Sequence, residues 1–304
     1  MKASFRLLLA LAMLGGALVG AAGTAKAHAS TTYYLALGDS VAAGCSNAFP
    51  DVNRFVPNSC GGRGYDDQLA EMVHAEFPSL HVVNLACGGE TAGSMISVVR
   101  AECFYPHPPQ GTQLDVAVAF LEAHPGQIAF ITITIGANDA LPPCFDPGTG
   151  VIEAVCIQAQ MPQIQSNLAY ILETLQAAAP GVPIAGMSYY DPFLGYWVLL
   201  PEPDGQTVAQ SDEEAIEAMN AGLVSTYQAE GALVADVAGP EFFNTADFTD
   251  RVVTKDFGDV PVNVANACAW TRFCGDTAYG PGDVHPNTEG HGVIAAAFAA
   301  VLPA

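Results

Sequence analysis

Five short apolar runs divide the chain, and the first three each empty into a glycine-bearing polar turn. Residues 33–37 (YYLAL) end at Gly38-Asp39-Ser40, residues 81–86 (HVVNLA) at Cys87-Gly88-Gly89, and residues 128–135 (IAFITITI) at Gly136-Ala137-Asn138-Asp139. Residues 182–189 and 233–237 are two further runs. The apolar residues in these runs are continuous, not alternating, which a strand needs when its sheet is covered on both faces. Helical patterns separate them, over residues 65–77, 114–123, 159–179 and 212–230, and a last one over 288–301 has Pro286 as its start signal. Strand and helix alternate, so the expected fold class is α/β: a three-layer α/β/α sandwich around a mostly parallel sheet. Segments 103–110, 141–150 and 247–281 are rich in Pro, Gly, Asp or Cys and read as irregular loops.

The chain has 304 residues, but the first 27 read as something other than fold. Lys2 and Arg6 precede an apolar run from residue 7 to 19, and small residues lead to Ala25-Lys26-Ala27. This is the layout of a cleavable secretory signal, and the run is shorter than the roughly 20 residues that span a bilayer. Residues 1–27 are therefore expected to be a signal peptide and 28–304 one domain, with no stable membrane anchor. The leader contains three of the nine basic residues and no acid, which leaves six against 31 acidic ones and a net charge of −25 in place of −22. Such a chain repels phosphate backbones and anionic surfaces, so nucleic acid is excluded as a partner. A hydrophobic content of 51% excludes a disordered chain.

Eight cysteines behind a signal peptide imply structural disulfides in an oxidising compartment, and the expected location is extracellular. Eight allow 105 pairings. Their order suggests four local bridges: Cys45 with Cys60, Cys87 with Cys103, Cys144 with Cys156, and Cys268 with Cys274. Each would stiffen a loop. No paired C-x-x-C is present, and His285 and His291, six residues apart, are poorly spaced for one helical face, so no metal is expected.

Ligands of an open parallel sheet bind at the carboxyl ends of its strands. Asp39-Ser40, Gly88-Gly89 and Asn138-Asp139 all fall there, and Asp283-Val284-His285 stands just before the last helix. Taken singly, these are a helix cap, a tight turn, a helix start and a structural histidine. Together they supply a complete chemistry. A serine hydroxyl becomes a nucleophile when a base takes its proton, and since imidazole is the side chain suited to exchanging protons at neutral pH, His285 is the candidate base for Ser40. Attack on an ester carbonyl puts negative charge on its oxygen, which the backbone N–H groups of Ser40 and Gly89 and the side-chain amide of Asn138 could receive.

The order and wording of these segments resemble the SGNH hydrolases, the GDSL lipase/esterase family. Gly38-Asp39-Ser40 in YLALGDSVAAG matches the block whose serine is the nucleophile, and Gly89 in NLACGGET the block of the oxyanion glycine. Gly136-Ala137-Asn138-Asp139 matches the G-x-N-D block, and His285 in DVHPNTEGH the block of the catalytic base. The resemblance runs from about residue 33 to the C-terminus, and the cysteine-bearing loops look most like the secreted actinobacterial lipase/esterase branch. It implies a flavodoxin-like sheet, an acyl-serine intermediate and no cofactor. One departure stands out: the family's last block is usually D-x-x-H, whereas here Asp283 is two residues ahead of His285 and Gly282 is three ahead. The group orienting the imidazole is then Asp283, a backbone carbonyl near Gly282, or another acid such as Asp276.

The expected protein is a secreted, monomeric serine hydrolase that cleaves carboxylic esters of small molecules or lipids. An acyltransferase or carbohydrate deacetylase of the same fold, and an inactive binding protein, are the alternatives. There is no G-x-S-x-G elbow, no P-loop and no G-x-G-x-x-G after a strand, so neither an α/β-hydrolase nucleophile nor a nucleotide is indicated. Loops 142–156 and 189–203 do not match the family blocks, and the aromatic second one could line an acyl groove.

Overall fold

The computed structural model describes residues 31–45, 63–100, 103, 111–275 and 282–303. The expected signal peptide, the Cys45–Cys60 pairing, Asp276 and most of segment 103–110 lie outside the described residues. A five-stranded sheet forms the centre, with strands β1 (Thr32–Gly38), β2 (Leu80–Asn84), β3 (Ile128–Thr134), β4 (Ile184–Met187) and β5 (Leu233–Ala235). All neighbours are parallel, in the order β2-β1-β3-β4-β5. The five apolar runs thus form the five strands, each within a few residues of its expected bounds.

Helices cover both faces. Contacts group α1 (Tyr65–Met72) with α9 (Thr288–Val301), and α2 (Ala92–Ser97), α3 (Gln113–Ala123) and α4 (Ala137–Cys144) with α5 (Ala154–Ala178), which packs along α7 (Asp204–Ala229). Tyr34, Leu35, Leu37, Phe130, Ile131 and Ile133 have no exposed surface, as strands between two helical layers require. Among the described residues, no helix is long and apolar enough to cross a membrane.

Segment 247–281 corrects the expectation of an irregular loop. It contains an antiparallel hairpin of β6 (Arg251–Thr254) and β7 (Gly258–Pro261), helix α8 (Val262–Trp270), and β8 (Thr271–Arg272), which pairs with β9 (Asp283–Pro286). Gly258 and Pro261 sit at the two ends of β7, so composition conceals the elements around them. The reason α8 forms is tertiary: Val264 and Ala267 bury against Leu194, in a small core separate from the main one. Leu194 belongs to a 3₁₀ turn, Pro192–Gly195, which leads into α6 (Tyr196–Leu199). Helix α7 begins at Asp204, ahead of its expected start near residue 212, and its first turn packs directly on this segment. A Cβ at Gly205 would lie 2.5 Å from the Tyr196 carbonyl oxygen.

Three of the four expected bridges are present: Cys87–Cys103, Cys144–Cys156 and Cys268–Cys274. Cys87–Cys103 joins two loop positions, Cys144–Cys156 joins the end of α4 to the start of α5, and Cys268–Cys274 joins α8 to the turn after β8.

Candidate active site

The strand order reverses direction between β1 and β3, and their carboxyl ends flank the crevice where an open α/β sheet takes its ligand. Ser40 follows β1 and Asn138 follows β3. Gly38 ends β1 at φ +119°, and a Cβ there would lie 1.9 Å from the Thr134 carbonyl oxygen, so only glycine fits the turn that presents Ser40. Gln113, the first residue of α3, brackets this glycine. Its side-chain oxygen accepts the Gly38 N–H at 2.6 Å, and its nitrogen donates to the Gly38 carbonyl at 3.0 Å.

From the other end of the chain, β9 brings His285 to the same place, with its Nε2 2.9 Å from Ser40 Oγ. The other ring nitrogen, Nδ1, is 2.7 Å from Asp283 Oδ1. A carboxylate at Nδ1 holds the proton there, which leaves Nε2 to accept from the Ser40 hydroxyl. Asp283 is 8% exposed, and the same oxygen also accepts the His285 N–H at 3.1 Å. This settles which group meets the imidazole: Asp283 does. Residues i and i+2 of a strand face the same side, so a carboxylate two residues ahead can fold back onto the ring. Tyr190 helps to hold the strand by donating to the Val284 carbonyl at 2.9 Å.

The remaining expected residues, Asn138 and Gly89, follow β3 and β2. Asn138, in the first turn of α4, donates to the Glu90 carbonyl at 3.0 Å and lines the cavity that contains Ser40 and His285. Gly89 sits one residue before Glu90, in a left-handed turn at φ +71°, and is not among the cavity-lining residues. Its loop is pinned by Cys87–Cys103, by Arg100 Nη1 donating to the Gly89 carbonyl at 2.8 Å, and by the buried Glu90 carboxylate. That carboxylate accepts from Gln113 at 3.0 Å and from Ser94 Oγ. Among the described residues, the Ser40 N–H has no protein acceptor.

The cavity is about 470 Å³, within the usual range for a small-molecule site. Beyond the polar group at its floor, its walls are apolar and aromatic and include Pro142, Phe145, Pro192, Phe193, Tyr196 and Phe273. Both unmatched loops, 142–156 and 189–203, therefore contribute walls. The walls brace one another: Phe193 packs on Phe145 at 5.6 Å between ring centroids and on Phe273 at 5.4 Å.

A family model for the GDSL-like lipase/acylhydrolase family matches residues 36–293. The chain belongs to that family. Two solved structures share the fold of this GDSL-family chain at low identity. A phospholipase A1 from Streptomyces albidoflavus NA297 is 15% identical, with a TM-score of 0.50 over 89% of this chain and 99% of its own. A lipase, Lip_vut3, from a goat rumen metagenome is 13% identical, with a TM-score of 0.51 over 89% and 97%. No curated protein matches the sequence.

Several supports of this GDSL-family site escaped sequence reasoning. Gln113 meets Gly38 from 75 residues away, and nothing local marks it. Glu90 had a signal, an acid directly after two glycines in a buried loop. Asp139, beside Asn138 in the G-x-N-D block, accepts the Ala92 N–H at 2.8 Å and so joins α4 to the start of α2. His291 neighbours the site but makes no hydrogen bond to its residues. Its Nε2 is 3.2 Å from the Cys45 carbonyl oxygen, and burial pushes its pKa down to about 4, so it is a neutral packing residue. No three metal-binding side chains come together among the described residues.

Proposed function

We propose that this GDSL-family protein is a secreted serine esterase or lipase that cleaves carboxylic esters with an apolar acyl group through an acyl-serine intermediate. The observation that carries this reading is the continuous hydrogen-bonded path from Ser40 Oγ to His285 Nε2 and from His285 Nδ1 to Asp283, at the floor of an apolar cavity. In the proposed reaction Ser40 Oγ attacks the ester carbonyl as His285 takes its proton, and Asp283 holds the ring and balances the imidazolium. The tetrahedral oxyanion is met by the Ser40 N–H and the Asn138 amide, with Gly89 as the third donor. His285 then gives its proton to the leaving alcohol, the acyl group stays on Ser40, and a water activated by the same histidine releases it.

The apolar walls favour an acyl chain over a hydrated sugar, because they offer an acetylated glycan few hydrogen-bonding partners. The phospholipase and lipase of like fold agree with that choice. Secretion is supported by the expected leader and by three disulfides, which persist in oxidising compartments.

The test is hydrolysis of a panel of soluble aryl esters by the mature protein and by Ser40→Ala. The wild type is expected to turn over esters with medium acyl chains faster than acetyl esters, and the variant to lose roughly 10⁴-fold or more. Equal rates in the two proteins would end the proposal. A product found chiefly on added alcohols, with little free acid, would reassign the protein as an acyltransferase.

A further inference from the structure

Asp39, immediately before the nucleophile, is used by none of the steps above, yet it is 1% exposed and holds three hydrogen bonds at the ends of three strands. Its Oδ1 accepts the Val41 N–H at 2.9 Å and the Thr134 hydroxyl at 2.8 Å, and its Oδ2 accepts the Tyr189 hydroxyl at 2.6 Å. Val41 belongs to the serine turn after β1, Thr134 ends β3, and Tyr189 follows β4. The carboxylate therefore fastens the Ser40 turn to the ends of β3 and β4.

Its electrostatic surroundings are as telling. Asp39 acts on Tyr65 from α1, on Tyr189 and Tyr190 after β4, on Tyr227 from α7, and on His285. Its negative charge raises the pKa of all four tyrosines, which adds to the effect of their burial. Of these five groups only His285 can become positive. Burial pushes the Asp39 pKa up, and the Tyr189 and Thr134 hydroxyls, the Val41 N–H and His285 pull it down. Asp283 is the other carboxylate that faces the imidazole, and His291 is a neutral neighbour of it.

We propose that Asp39 is a positioning residue of the ester-cleaving site: it locks the turn that presents Ser40, and its charge, with that of Asp283, stabilises the imidazolium that forms on His285. The inference rests on the function proposed above and adds a second carboxylate to its machinery. The histidine then works in the field of two carboxylates, one in contact with its Nδ1 and one on the residue that precedes its Ser40 partner.

Two variants test it. Asp39→Asn keeps the volume and removes the charge. Thr134→Val removes one donor to Asp39 without touching the cavity wall. Both are assayed for kcat and KM against pH, and His285 is titrated in each resting protein by NMR of its ring protons. Thr134→Val is expected to lower kcat about tenfold or more at nearly constant KM, the scale of one hydrogen bond to a charged group. Asp39→Asn is expected to lower kcat further, and to move both the acidic limb of kcat/KM and the His285 titration to lower pH by roughly half a unit or more. An unmoved His285 titration in a folded Asp39→Asn protein, or wild-type kcat in Thr134→Val, would overturn the proposal. If Asp39→Asn does not fold, the Thr134→Val kcat decides. Because the NMR titration needs no turnover, it distinguishes failure of this inference from failure of the esterase reading, which wild-type inactivity on every ester would show instead.

Discussion

At the residue scale, the proposed reaction gives each site group a distinct task, so losses should differ in size. Asn138→Ala removes one oxyanion donor and is expected to cost about 10²–10³ in kcat. Asp283→Asn leaves the ring in place with the wrong tautomer and is expected to cost on the order of 10⁴, whereas a bystander acid would cost little. Steady-state kinetics on one aryl ester reads both. Ser40, His285 and Asn138, which line one cavity, were legible in the sequence because each lies in a short block whose neighbours mark it, whereas Gly89, named with them, is not among the cavity-lining residues. Asp283 was named but left open, since its two-residue spacing makes sense only once the segment is seen to be a strand that folds the carboxylate back. Gln113 was illegible, because its meaning lies in Gly38, a contact made only when the sheet has formed.

At the element scale, the wall-forming segment Pro192–Gly195 sits on a group of buried carboxyls. Asp191 caps this turn by accepting the Phe193 N–H at 2.8 Å, and Asp212 and Glu213 of α7 lie close by. Burial pushes Asp212 up to about 7 and Glu213 up to about 7, and raises Asp191 as well, with Glu213 and Asp212 adding to that rise. Unfolded, these acids titrate near pH 4. The folded state therefore keeps protons that the unfolded chain has released, and stability falls as pH rises from about 4 through about 7. Neutral mimics should remove that slope. Asp212→Asn with Glu213→Gln is expected to show a smaller drop in Tm between pH 5 and pH 8 than the wild type, measured by calorimetry, and an unchanged drop would contradict the assignment. His291 contributes with the opposite sign, gaining stability as pH rises from about 4 to 6.5, and it cancels in the comparison because both proteins carry it. The five sheet strands were legible because burial on both faces writes itself as unbroken apolar runs. Helix α8 was not, because its short apolar face is answered by Leu194, some 70 residues earlier.

At the scale of the whole molecule, three disulfides gather around the end of the sheet that carries the site. In the entropy model, closing the 16-residue separation of Cys87 and Cys103 contributes about 3 kcal/mol. Reduction is expected to lower Tm and to weaken activity before global unfolding, because the bridges hold the Gly89 loop and the walls near Phe145 and Phe273. Parallel denaturation and activity curves at graded reductant would check that order of events. The fold class was legible from alternation alone, while the layout of the site was legible only in part. Sequence gives the order of the blocks, but the meeting of Ser40 with a ring 245 residues away is a property of the folded sheet.

The most direct test of the account is to treat the protein with an aryl fluorophosphonate and locate the adduct by mass spectrometry. A hydroxyl activated by His285 should be phosphonylated once, at Ser40, and the adduct should disappear in His285→Ala. No adduct, or an adduct elsewhere with Ser40 unmodified, would contradict the claim that these two residues form a working nucleophile.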